Sequence, residues 1–200
     1  NRGLREDLLP LVKESSQDFQ DRIMAILRRI EPFSSKSEYP WSRNLRTLMA
    51  RSFNKDPQYF KDVVAPYLGE HGFFKMHTFD HKDMAPFVGS RNVIPFFIAI
   101  SDWVDPLEAV LFEGHSFTSM DINLLVRTSF PNLVRFDAPK SNLNDQMLKK
   151  LSKASWFPNL ELLDVSHNSL TDASLTTLDE ARFHQMDYLN LDGIRFRNWE

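Results

Sequence analysis

The chain has 200 residues, of which 42 % are hydrophobic and 26 % are charged, the proportions of a globular protein with one or two domains. Its formal charge of −3 disfavours a nucleic-acid partner, because general nucleic-acid binders carry an excess of Lys and Arg. The absence of cysteine excludes a disulfide framework, a thiolate metal site and a cysteine nucleophile, and no apolar run reaches the roughly 18 residues that a membrane span requires.

Hydrophobic spacing in the first third of the chain predicts a helical N-terminal domain or cap over residues 1–72. Pro32 can end the first helix, and Asp56-Pro57 is a favourable start for the third. Gly69 is placed to close that third helix in a left-handed conformation. The apolar stripes of the three predicted helices are Phe19, Ile23, Ile26 and Ile30; Leu45, Leu48, Met49 and Phe53; and Phe60, Val63, Val64, Tyr67 and Leu68.

Residues 73–103 are predicted to be a junction or a degenerate leading repeat. The segment 93–100 is continuously apolar, and its periodicity leaves open whether it is a buried strand or a short helix. The apolar residues that would belong to a leading repeat are Phe73, Phe74, Met76 and Phe79.

An internal repeat dominates residues 104–200. The sequence SFPNL at 129–133 is echoed by WFPNL at 156–160. From Leu160 onward the chain follows the pattern L-x-x-L-x-L-x-x-N-x-L, in which Asn168 is the asparagine. The anchor positions of four such units, 26 or 27 residues apart, are Leu107, Leu133, Leu160 and Met186.

With these spacings, residues 104–198 resemble the leucine-rich repeat family, in its longer, helical, ribonuclease-inhibitor-like subtype. The resemblance implies an α/β fold, a short right-handed solenoid of parallel strands and helices that the N-terminal helical region would cap. It also implies protein binding through the concave face of the sheet. The asparagine of the pattern is present only at Asn168, since His115, Ser141 and Ile194 occupy the equivalent positions.

The repeat predicts which side chains point inward and where each helix begins. Thr118, Asn144 and Thr171 follow the anchors by eleven residues and are good N-caps. Asn168 is expected to satisfy backbone groups where the chain turns after its strand. The predicted buried columns across neighbouring strands are Val110, Phe136, Leu163 and Leu189, and then Phe112, Ala138, Val165 and Leu191.

Strand alternation then places a mainly acidic set of side chains on the exposed face of the sheet. Asp137 and Asp164 are expected to be near neighbours, because adjacent strands lie about 4.8 Å apart. Like charges that close favour a cation between them, which a basic segment of a partner would supply. The residues predicted to bind a protein partner are Glu113, Arg135, Asp137, Asp164, Tyr188 and Asp192.

Two other functions compete with this interaction module. The chain could be a scaffold subunit of a larger assembly that docks through its N-terminal helices. It could also be a metal-dependent enzyme that uses His77, Asp80 and His81. No nucleophile motif or phosphate-binding loop accompanies those residues, so we expect neither enzyme activity nor a cofactor. We expect an intracellular location, cytoplasmic or nuclear, with a secreted effector that acts inside a host cell as the alternative.

Overall fold

The computed structural model describes residues 16–27, 43–71, 73–74, 76–104 and 106–194. They form a mixed α/β structure. The strands are β1 Thr78–Asp80, β2 Ala109–Leu111, β3 Arg135–Asp137, β4 Leu162–Asp164 and β5 Tyr188–Asn190. The helices are α1 Ser16–Leu27, α2 Arg43–Lys55, α3 Pro57–Tyr59, α4 Ala65–Glu70, α5 His81–Val88, α6 Val93–Ile100, α7 Ser119–Arg127, α8 Asp145–Leu151 and α9 Asp172–Glu180. A π-helical turn, Phe60–Val64, joins α3 to α4, and short 3₁₀ turns occur at Ser90–Asn92, Ser101–Trp103 and Phe157–Asn159.

The chain divides into two compact units. Unit 1 contains the described residues of Asn1–Met76 and Met84–Asp105, and unit 2 those of His77–Asp83 and Pro106–Glu200. Unit 1 is helical, whereas all five strands belong to unit 2.

The predicted helices of unit 1 are confirmed, and most of their apolar stripes lie in its core, although Val63 of the third stripe is 38 % exposed. Ile23 and Ile26 of α1 are buried, as are all four stripe residues of α2. The buried Ser52 hydroxyl donates to Gln20 Oε1 over 2.8 Å, so a polar pair joins these two helices inside the core. The expected end of the first helix, at Ile30 and Pro32, lies outside the described residues.

The third predicted helix begins as the sequence indicates. Asp56 accepts a hydrogen bond from the Tyr59 backbone N–H at 3.0 Å, and Pro57 occupies the first turn, where its missing N–H is not needed. The apolar segment 93–100, which the sequence predicted as either a strand or a helix, is the buried helix α6. Phe53, Phe60 and Phe96 pack their rings with centroids 5.4–5.6 Å apart, which ties α6 to the preceding helices.

The prediction that Gly69 ends a helix in a left-handed conformation is wrong. Gly69 lies within α4, has no positive φ, and the helix is capped at His71. A Cβ at position 69 would lie 2.4 Å from Cε3 of Trp103. Glycine is therefore required here by the close approach of an aromatic ring and not by backbone conformation.

Substitution of Gly69 by alanine is expected to destabilise the protein by about 1–3 kcal/mol, because the new methyl group overlaps the Trp103 ring. Helix propensity alone predicts the opposite sign, a gain of about 1 kcal/mol. Urea unfolding of the variant measures which effect dominates. The double variant G69A/W103A serves as the control, since the methyl group should no longer destabilise once the ring is removed.

The five strands of unit 2 form one parallel sheet in sequence order, β1-β2-β3-β4-β5. The register predicted from the anchors is confirmed for β2–β5, with Val110, Phe136, Leu163 and Leu189 aligned across the sheet. β1 comes from the segment predicted as a junction or a degenerate leading repeat, and it aligns the buried Phe79 with Val110. The first four members of this column are buried, whereas Leu189 on the edge strand is 40 % exposed.

The interior of unit 2 continues as an aromatic stack behind the strands. Phe136 lies 5.9 Å from Phe112 and 5.5 Å from the nearly parallel ring of Trp156, measured between centroids. Trp156 also donates its indole N–H to the Leu125 carbonyl at 3.2 Å, so its one polar group is satisfied inside the core.

The three predicted N-caps are confirmed. Thr118, Asn144 and Thr171 each accept a hydrogen bond from a backbone N–H in the first turn of α7, α8 and α9, respectively. On α9, Leu178 is buried, whereas Leu175 is 38 % exposed. α8 packs against α9, and no helix follows α9 in the part of the chain that the structure describes, which leaves Leu175 without a covering neighbour.

The turn after each of β2–β5 contains a residue in the left-handed region of the backbone. These residues occupy the same position of the repeat, seven after the anchor, and are Gly114, Lys140, His167 and Gly193, with φ values of 76°, 54°, 54° and 69°. Hydrogen bonds link neighbouring turns, since Gly114 N–H donates to the Pro139 carbonyl, Lys140 N–H to Ser166 and His167 N–H to Asp192. The repeat therefore fixes the backbone of the turns as well as the strands, even where a side chain makes this conformation unfavourable.

No single described helix is both long and apolar enough to cross a membrane. The segments His81–Val88 and Ser90–Trp103 meet that test only as a bent pair, by length and composition.

Candidate partner-binding face

The candidate site is the exposed side of the sheet in unit 2 together with the turns that follow the strands. We call it the partner face and define it by the six predicted residues, Glu113, Arg135, Asp137, Asp164, Tyr188 and Asp192. The strand register puts Arg135, Leu162 and Tyr188 in one row, and Leu111, Asp137, Asp164 and Asn190 in the next.

The expected proximity of Asp137 and Asp164 is confirmed, because the two residues are directly paired across β3 and β4. Arg135 supplies a cation for this acidic pair from within the chain. Its Nε donates to Asp137 Oδ2 at 3.0 Å and its Nη2 to the same oxygen, which raises the pKa of the guanidinium still further. Asp164 acts on Arg135 in the same direction through its charge.

A short turn motif organises the carboxylates and amides at the strand exits. Asp80, Asp164 and Asn190 each accept, through a side-chain oxygen, a hydrogen bond from the backbone N–H two residues later, at 2.9–3.0 Å. Asp137 occupies the same place, but the residue two positions later is Pro139, which has no N–H to donate. Its buried Oδ1 accordingly has no hydrogen-bond partner among the described residues.

Asp164 is more completely satisfied than Asp137. Besides the bond from Ser166 N–H, it accepts one from Asn190 Nδ2 at 3.1 Å through Oδ2. Neither Asp164 nor Asp192 forms an ion pair with a described Lys or Arg. No described Lys or Arg in contact therefore neutralises their negative charges.

Glu113 is paired within the chain. Lys82, which follows β1, donates to Glu113 Oε2 and lowers the pKa of that carboxyl group, while Glu113 raises the pKa of Lys82. Lys82 was not among the predicted residues, because the interval from Phe79 to Val110 departs from the 26- and 27-residue repeat and conceals the register of β1.

The β5 end of the partner face is the most open. Tyr188 is 51 % exposed, and the Asp192 side chain is 79 % exposed, with His167 Nε2 at 3.7 Å from Asp192 Oδ2. Gly193 has a φ of 69°, so another residue here would strain the backbone, and its Cβ would displace the His167 ring, whose Nδ1 lies 2.2 Å from that position. An exposed ring beside two carboxylates can hold the aliphatic stem and the charged head of a Lys or Arg side chain.

Of the residues proposed to bind a metal, His77 and His81 lie in different surroundings. His77 is exposed and its Nδ1 lies 3.1 Å from Glu108 Oε2. His81 is buried, with Nδ1 at 3.2 Å from the Leu111 carbonyl and at 3.7 Å from Asp80 Oδ1. Within the described ranges, no three His, Cys, Asp or Glu side chains form a group that could hold a metal ion.

Comparison with known proteins adds no family to these observations. No protein-family model matches the sequence, and no curated protein matches it.

Proposed function

We propose that unit 2 is a short leucine-rich-repeat solenoid whose partner face binds a basic segment of another protein. The repeat form is supported by the parallel strands in sequence order and by anchors 26 or 27 residues apart. It is further supported by Asn168, which bonds the backbone of two successive turns in the way the repeat pattern requires.

One observation carries the binding proposal: the exposed Tyr188 ring lies in a region of the sheet where Asp164 and Asp192 have no Lys or Arg partner among the described residues. Aromatic residues with adaptable polar neighbours are typical of protein-binding surfaces. The charge that remains uncompensated is negative, which complements a Lys- or Arg-containing segment.

Two ion pairs within the chain shift the expected centre of the binding site away from Asp137 and Glu113. Arg135 already contacts Asp137, and Lys82 already contacts Glu113. The partner's cations would therefore be attracted more strongly to the β4–β5 side, near Asp164 and Asp192. Charge reversal at Asp137 would be a poor test, because it would place a new cation against Arg135 and disturb the protein itself.

Site-specific photo-crosslinking tests the proposal. A photoreactive phenylalanine analogue in place of Tyr188 is expected to crosslink a protein in a native extract, and D164N/D192N is expected to reduce that yield about two- to thirtyfold. The estimate follows from roughly 0.2–1 kcal/mol for each exposed charge pair. Asn at position 164 retains a side-chain oxygen for the Ser166 N–H, so the turn should persist.

The matched control is D179N/E180Q, which removes the same charge from the exposed surface of α9 and should leave the yield unchanged. An equal loss in both double variants would contradict a role for the partner face. Crosslinking from Lys55 of α2, but not from position 188, would instead support docking through the N-terminal helices.

A further inference from the structure

Two buried histidines lie together at the β1–β2 end of the sheet, and we call them the histidine pair. His81 follows β1 and His115 lies in the turn after β2, with their ring centroids 5.6 Å apart and their planes at 71°. Phe112 and Phe117 surround the His115 ring at centroid distances of 5.9 and 4.8 Å. This apolar environment favours the neutral form of both imidazoles.

His115 has an unsatisfied ring nitrogen. Its buried Nε2 has no hydrogen-bond partner among the described residues, and the nearest carboxylate oxygen is Asp121 Oδ2 at 4.0 Å. That oxygen already accepts from the Thr118 N–H at 2.8 Å and the Thr118 hydroxyl at 2.7 Å, which completes the capping box of α7. A protonated His115 must draw Asp121 away from this cap or remain a buried, unpaired cation.

The charged groups around His81 oppose one another. Asp80 and Glu113 favour its protonated form, as does the Leu111 carbonyl near Nδ1, whereas the charge of Lys82 disfavours it. Burial is the largest effect and lowers the pKa of His81 below the ordinary value of 6.5.

For His115, burial is again the largest cause of a lowered pKa. The charge of Asp121 raises it and a proton on His81 lowers it, with a net decrease below 6.5. Protonation of one ring therefore makes protonation of the other less favourable in the closed structure.

We propose that the histidine pair is an acid-operated latch, which holds the turn 112–118 and the start of α7 closed while both rings are neutral and releases them when the rings take up protons. In an opened or unfolded chain each histidine binds a proton near pH 6.5, whereas in the closed structure it does so only at lower pH. The open form thus binds more protons below pH 6.5, so the closed form has its full stability above that pH and loses it as the pH falls.

Hydrogen exchange of the full chain between pH 7.5 and 5.0, corrected for the pH dependence of intrinsic exchange, tests the latch. The opening constant of the amides at 115–122 should rise up to about tenfold per histidine for each pH unit below 6.5, until the closed form itself is protonated. H115N should lose about half of this dependence, because it removes one of the two titrating rings. The turn should accept the substitution, since Asn168 occupies the equivalent position of another repeat. H77N changes an exposed histidine and should retain all of it.

The proposal is overturned if the corrected opening constants do not change with pH, or if H77N loses as much of the dependence as H115N. Should H115N not fold, the imidazole resonances of the wild-type protein decide. Titration of the His115 ring below pH 6.5 together with increased exchange at 115–122 supports the latch, and titration at or above 6.5 in a closed structure overturns it.

Discussion

Replacement of Asn168 by alanine is expected to lower the free energy of unfolding by about 3 kcal/mol. The Asn168 Oδ1 atom accepts from the backbone N–H groups of Ser141 and Leu143, both at 2.9 Å. Its Nδ2 donates to the carbonyls of Ala138 at 2.7 Å and Val165 at 2.9 Å. Alanine leaves these backbone groups without partners, and each unsatisfied buried group costs about 1–3 kcal/mol before the structure relaxes or water enters.

Urea unfolding followed by circular dichroism measures this loss. Asn132→Ala is the matched control, because Asn132 is exposed and precedes the anchor Leu133 by one residue without the turn contacts of Asn168. The control should change stability by less than about 0.5 kcal/mol. A similarly small effect of Asn168→Ala would show that the side-chain amide does not hold the two turns together.

The second large effect is expected in the column of residues that crosses the sheet. Leu163→Ala should cost about 2–5 kcal/mol, because Leu163 is fully buried in the middle of the column. Leu189→Ala removes the same atoms from the same column at its exposed edge, and should cost less than about 1.5 kcal/mol. The same substitution thus compares an interior and an edge strand at the same position of two successive repeats.

Thermal or urea unfolding of both variants gives the comparison. Equal losses would contradict the alignment of these side chains in one column, since the exposed position has much less apolar contact to lose. A larger loss at position 189 would indicate that the edge strand is covered by something other than the described residues.

Local and periodic features of unit 2 were predictable from the sequence. The strands β2–β5, their register and the three N-caps follow from spacing, because a repeated interval must place equivalent residues at equivalent points of successive strands and turns. The pairing of Asp137 with Asp164 follows from the same interval. The bond from Arg135 to Asp137 could also have been anticipated, since residues two apart on a strand share a face.

Contacts between distant residues were not predictable in this way. The helical state of segment 93–100 depends on burial against Phe53 and Phe60, and continuous apolar runs do not distinguish strand from helix. Lys82 reaches Glu113 only because β1 joins the sheet across an irregular interval. The sequence shows that Pro139 has no backbone N–H to donate. That this leaves the buried Asp137 Oδ1 without a partner among the described residues is evident only from the geometry of the turn.

The sequence alone therefore determined the repeating framework, because periodic burial of leucine and phenylalanine needs only the interval between them. Tertiary structure decided the roles of residues that the repeat does not explain. Gly69 is small because Trp103 approaches it, and His115 replaces an asparagine beside His81 and Asp121. Such roles depend on which side chain, distant in sequence, packs against Gly69 or His115. That contact is fixed only when the chain has folded and its core has packed.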